Sequence, residues 1–228
     1  MPAPTIHRDL KLTVVEQTKA TGVLPCIKLK ERRDCLPFAQ AMYDGGARVI
    51  EVTMTTPGAL DAIEAIAAEF SGRMWVAAGT VLDPQTAREV ILRGGSLIVS
   101  PALRKPVIRL AARYGVPVYS GAFTATECLD AMEAGAAMVK VFPAHVGGPK
   151  YMTNLKMVYP SLDLIPSGGV TLANAAEFIR CGACAVSGAR TFLDPDHVDA
   201  EGLEPVTRQV AAFLAAVREA KQNLPPLP

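Results

Sequence analysis

The chain of 228 residues, half of them hydrophobic, is long enough to bury a large core and suits a single domain spanning 1–228. Its 23 Lys and Arg nearly balance 22 Asp and Glu, and no basic run or aromatic-plus-basic patch points to nucleic acid or a membrane surface, so the expected partner is a small molecule. No apolar stretch reaches the roughly 18 uncharged residues that a membrane helix needs.

In chain order, Leu10, Val14, Val15 and Thr18 at helical spacing predict a helix ahead of the first strand. Short β-rich runs then recur at 23–28, 48–53, 74–78, 96–100, 116–120, 136–142, 162–166 and 183–187. They start roughly 20 to 26 residues apart, and helical patterns such as Ala59 Leu60 Ile63 Ile66 Ala67 lie between them. Gly45 Gly46, Gly94 Gly95, Gly115, Gly135 and Gly182 each stand where a helix should stop before the next strand. A last helix is predicted over about 203–221, followed by an extended Pro-rich tail over 224–228. Eight strand-helix units imply an α/β fold, a (β/α)8 TIM barrel with an extra N-terminal helix.

Alternation along the strands orients the charges, because the face toward the helices must be apolar. In 136–142, Val139 and Val141 take the helix side and Lys140, the only charge of that run, points inward near the end of the strand where barrel enzymes place their chemistry. An unpaired ammonium there is costly, and a strand keeps one chiefly when the amine serves as a nucleophile, which points to Schiff-base chemistry. Glu51 faces inward between Ile50 and Val52, and Lys28 follows the outward Ile27 at the end of the first strand. A structural ion pair between an inward lysine and carboxylate is the competing reading.

Ser167 Gly168 Gly169 Val170 Thr171 opens a helix after the seventh strand, where glycine amides can approach an anion, or can simply make a tight connection. The eighth strand ends Val186 Ser187 Gly188 Ala189 Arg190, which brings Ser187 and a guanidinium to the same rim. Ala78 Gly79 Thr80 Val81 and Ser100 Pro101 are compact loops that add a hydroxyl and a rigid turn.

These residues carry a family resemblance. Ile50 Glu51 Val52 Thr53, Ala78 Gly79 Thr80 Val81 Leu82, Val99 Ser100 Pro101, Lys140 Val141 Phe142 Pro143 Ala144 and Ser167 Gly168 Gly169 Val170 stand in order at barrel spacing. Over about residues 20–192 the chain resembles the KDPG/KHG aldolases, class I pyruvate aldolases acting on 2-keto-3-deoxy-6-phosphogluconate and 4-hydroxy-2-oxoglutarate. The resemblance implies Lys140 as the Schiff-base lysine and Glu51 as general acid/base. It also implies Thr80 and Pro101 at the pyruvate pocket, Gly168 and Gly169 at a distal phosphate, a homotrimer, and no metal or other cofactor; Phe142 of the lysine motif is a further substrate-binding candidate.

The family carries an arginine for the pyruvate carboxylate either just after the glutamate motif or at the end of the first strand. Here these places read Met54 Thr55 Thr56 and Cys26 Ile27 Lys28, so Lys28 is the candidate, as a point charge without a bidentate fork. The family's usual serine in the last anion loop is replaced in Ser187 Gly188 Ala189 Arg190, and His145 is a further departure that either touches the ligand or is a loop residue.

The expected reaction is cleavage of a 2-keto-4-hydroxy acid to pyruvate and an aldehyde. Oxaloacetate decarboxylation through the same lysine, or a catalytically weak barrel that binds a keto acid or phosphorylated metabolite, are the alternatives. Five scattered cysteines without a signal peptide ahead of them predict reduced thiols in a cytoplasm, and Cys181 and Cys184 form a CxxC pair with no second pair or nearby histidines to complete a metal site.

Overall fold

The structure, a computed structural model, describes residues 10–31, 33–193 and 202–224. It contains eight strands: β1 (Val23–Ile27), β2 (Val49–Thr53), β3 (Trp75–Gly79), β4 (Leu97–Val99), β5 (Val118–Ala122), β6 (Met138–Val141), β7 (Leu164–Pro166) and β8 (Val186–Gly188). All pair in parallel in the order β7-β6-β5-β4-β3-β2-β1-β8, and bridges Leu164↔Ala183 and Ser167↔Ser187 bring β7 against β8. The result is a nearly closed barrel. Helix α1 (Leu10–Thr21) precedes it, and α2 (Leu36–Asp44), α3 (Ala59–Glu69), α4 (Pro84–Leu92), α5 (Lys105–Arg113), α6 (Ala125–Glu133), α7 (Ala144–Val158), α8 (Leu172–Arg180) and α9 (Glu204–Gln222) follow the strands in turn. The (β/α)8 barrel with an added N-terminal helix is as expected. Of the predicted tail only Leu224 lies within the described residues.

Several strands begin later than the apolar runs suggest, because a residue can be buried without joining the ladder. Val116, Leu162 and Ala183 are all buried, yet they pack in the approach to β5, β7 and β8 rather than inside those strands. Hydrophobic runs report burial; the ladder begins where backbone groups align.

The core has two layers. Ile27, Ile50, Val52, Ile98, Val139 and Val141 face the helices in one cluster, while Leu24, Val49, Leu97, Tyr119, Met138 and Ile165 fill the barrel interior in another. Val14 of α1 belongs to the interior cluster, so the added helix packs on residues that fill the barrel. Buried polar groups there are satisfied: the Tyr119 hydroxyl donates to Thr18 Oγ1 at 2.7 Å, and Thr18 donates in turn to the Val14 carbonyl at 2.9 Å. The other interior layer, toward the C-terminal strand ends, is where the polar side chains gather.

Candidate active site

Period-2 alternation delivers Glu51 and Lys140 to this layer, from β2 and β6, four strands apart in the barrel order. They meet across it because the intervening inward positions are small. A Cβ at Gly79 would come within 1.8 Å of Glu51 Oε1, and a Cβ at Gly121, the register partner of Lys140, within 2.0 Å of the Pro101 backbone. Glycine at these places admits the carboxylate and lets the loop after β4 close over β5.

Lys140 Nζ stands 3.7 Å from Glu51 Oε2, with the side chains 10% and 1% exposed. That separation is too long for a charge-assisted hydrogen bond, and Glu51 Oε2 is a buried oxygen without a hydrogen-bond partner. The pair stands at ion-pair distance on the cavity rather than sealed in the core, which favours a chemical over a purely structural role. Both groups face the cavity, where a bound molecule can reach amine and carboxylate together.

Around the pair opens a cavity of about 500 Å³, whose wall includes Lys28, Thr53, Thr80, Pro101, Phe142 and Ser167. Its far side is built from Gly168–Thr171 and Gly188–Thr191, including Arg190. Thr80 holds φ at 61°, a left-handed conformation that costs a β-branched residue energy and marks a place where the fold over-determines the backbone. The glycine loop is braced from α8: the Thr171 amide donates to Asn174 Oδ1 at 2.8 Å, and Asn174 Nδ2 donates to the Gly169 carbonyl at 3.0 Å. Gly168 and Gly169 take φ of 84° and 78°. Side chains there would run into Phe142 and His145.

One sequence expectation, Ser187, is placed elsewhere, and of the two readings of His145 the structure favours the loop residue. Ser187 is fully buried and does not reach the cavity wall, because alternation on β8 turns it into the barrel, where its hydroxyl lies 3.4 Å from Cys26 Sγ. His145 is exposed, its amide donates to the Gly168 carbonyl at 3.0 Å, and its Cβ lies where a side chain at Gly169 would have to go, which makes it a brace of the loop. Conversely, Thr191 lines the cavity, as do Thr53, Ser167 and Thr171, to which the motifs that contain them assigned no role. Thr53 was within reach of the same alternation that turned Glu51 inward. Cys26, the register partner of Glu51, also faces the cavity, and burial followed by the negative charge of Glu51 pushes its thiol far above the ordinary range, so it stays protonated. Among the described residues no group of three or more His, Cys, Asp or Glu side chains could hold a metal ion.

Residues 14–209 match the family model described as KDPG and KHG aldolase. The chain belongs to that family. It is 37% identical over 190 residues to the 2-dehydro-3-deoxy-6-phosphogalactonate aldolase of Escherichia coli, covering 83% of this chain and 91% of the relative. Among solved structures, a native KDPGal structure superimposes with a TM-score of 0.82 at 33% identity over 88% of this chain and 96% of the other. The KDPG aldolase of Legionella pneumophila, with pyruvate captured as a covalent carbinolamine, superimposes at 0.80 with 26% identity, covering 87% and 97%. As a member of the KDPG and KHG aldolases, the protein is a carbon-carbon lyase.

Proposed function

We propose that the protein is a class I aldolase that cleaves 2-keto-3-deoxy-6-phosphogluconate, or a close relative such as 4-hydroxy-2-oxoglutarate, into pyruvate and an aldehyde, with Lys140 as nucleophile and Glu51 as general acid/base. The observation that carries this reading is the placement of buried Lys140 and Glu51 side by side on the cavity, with Lys140 Nζ 3.7 Å from Glu51 Oε2. The neutral amine of Lys140 adds to the C2 ketone, and loss of water leaves an iminium. Glu51 takes the C4 hydroxyl proton as the C3–C4 electron pair flows to the iminium nitrogen; the aldehyde departs and an enamine remains. Glu51 returns the proton to C3, and hydrolysis of the resulting iminium frees pyruvate and Lys140.

Thr80, Pro101 and Phe142 would enclose the three-carbon half, and Lys28 would hold its carboxylate. Gly168, Gly169 and Arg190, on the far side of the cavity, would receive a distal phosphate, favoured by glycine amides beside the first turn of α8. Family resemblance supports a homotrimer, and exposed Phe142, Val146 and Leu172 supply apolar surface for contact between copies. Five free cysteines support a cytoplasmic setting, and among the described residues no helix is long and apolar enough to cross a membrane.

Borohydride reduction in the presence of pyruvate tests the assignment. One three-carbon adduct on the peptide carrying Lys140 is expected; an adduct on another lysine, or none, would overturn it.

A further inference from the structure

Beside Lys28 the strand that carries Glu51 ends in a cluster of threonines. Thr53 Oγ1 lies 3.1 Å from Thr55 Oγ1 and 3.2 Å from Thr56 Oγ1. The Leu29 amide donates to Thr56 Oγ1 at 3.2 Å, and Thr53 Oγ1 donates to the Ile27 carbonyl at 3.4 Å, with Thr56 Oγ1 at 3.5 Å from the same carbonyl. Thr53 and Thr56 are 6% and 2% exposed, so these hydroxyls are held by protein groups rather than by bulk water. Each hydroxyl has one proton to give, and one assignment supplies all the shorter contacts: Leu29 N–H to Thr56, Thr56 to Thr53, Thr53 to Ile27, with Thr55 also donating to Thr53. The chain of bonds closes on the two residues that flank Lys28.

We infer that Thr53 and Thr56 are positioning residues for Lys28, fixing the backbone on both sides of it so that its ammonium meets the carboxylate of the keto acid. The inference rests on the carboxylate role given to Lys28 above. A guanidinium brings its own planar fork, and its geometry survives some play in the backbone; an ammonium on a flexible four-carbon stem is a point charge and brings none. Accuracy must then come from where its Cα is held, and Lys28 itself is exposed just past the end of β1. Thr53 reaches the cavity wall, but its proton is committed to Ile27, so it acts through Lys28 and not on the substrate.

The test compares Thr56→Val, Thr56→Ser, Lys28→Met and the Lys28→Met/Thr56→Val double variant, measuring the pyruvate concentration that half-saturates borohydride trapping, kcat, and Tm. Thr56→Val is expected to raise half-saturation by roughly 3- to 10-fold, the worth of about one hydrogen bond, while kcat stays within about twofold. Thr56→Ser should restore the wild-type value, and in the Lys28→Met background Thr56→Val should add nothing. If Lys28→Met weakens pyruvate binding but Thr56→Val does not, or does so equally in both backgrounds, positioning is overturned while the role of Lys28 stands. If Lys28→Met leaves saturation unchanged, both fail together. Should Thr56→Val not fold, Thr56→Ala, which removes the same hydroxyl with a smaller side chain, is read against the same outcomes.

Discussion

Glu51 depends on what its neighbour lacks. A Cβ at Gly79 would sit 1.8 Å from Glu51 Oε1 and 2.8 Å from its Cγ, contacts that the end of a flexible side chain escapes by swinging away. Gly79→Ala is expected to lower Tm, as overpacking at a buried site costs about 1–3 kcal/mol, and to lose turnover because the carboxylate no longer faces Lys140 Nζ. Glu51→Gln separates the two chemical roles more directly. It should retain Schiff-base trapping on Lys140 and lower turnover by roughly 10² to 10⁴, the range for a lost acid/base group. If trapping and turnover vanish together in a folded Glu51→Gln protein, the carboxylate serves to place the lysine rather than to move protons. Lys140 needed no such inference from space; a single charge in an apolar strand announces itself.

At the scale of elements, the helices are started by local chemistry that carries a pH dependence. Asp83 caps α4, where the Thr86 amide, then its hydroxyl, hold the carboxyl below its ordinary value of 3.8. Glu127 in the capping box of α6 accepts from the amides of Thr124 and Phe123, which lower it from 4.5. Both folded-state values lie below the unfolded ones, so the unfolded chain binds more protons in that range. Their contribution is complete above the unfolded values and is lost as pH falls through the folded ones. The urea midpoint should accordingly decline between about pH 5 and pH 3. The Asp83→Asn/Glu127→Gln double variant should show a shallower decline, and an unaltered slope would assign it to other carboxylates. These caps are legible in sequence, since Thr124 and Glu127 stand three apart before an apolar helix face. Strand starts are not, because Val116 and Leu162 are buried like strand residues outside the ladder, and Ala183 makes only an isolated bridge ahead of β8.

For the molecule as a whole, closure of the barrel sets the floor of the cavity from β2 and β6 and its far wall from the loops after β7 and β8. The two regions meet different halves of the proposed substrate, so they can be separated by substrate length. Arg190→Ala is expected to raise KM for 2-keto-3-deoxy-6-phosphogluconate while leaving that for 4-hydroxy-2-oxoglutarate little changed, because only the phosphorylated acid reaches the far wall. A charge-assisted contact of about 1.5–3 kcal/mol corresponds to roughly 10- to 150-fold. Equal losses for both substrates would place Arg190 outside a phosphate site.

The sequence by itself determined the number of strand-helix units, the added first helix, and which side of each strand Lys140 and Glu51 occupy. All of these follow from local periodicity, 3.6 residues along a helix and 2 along a strand, together with glycines that end helices at Gly46, Gly94, Gly115, Gly135 and Gly182 with φ between 69° and 102°. Only the tertiary structure decided that the amine and carboxylate stand 3.7 Å apart and unbonded, that Ser187 turns to Cys26, that His145 braces Gly169, and that Thr53 and Thr56 enclose the backbone of Lys28. Each is a meeting between strands or loops whose distance depends on barrel stagger and on how small the intervening residues are. Alternation gives a side chain its direction, and closure of the sheet decides what it meets there.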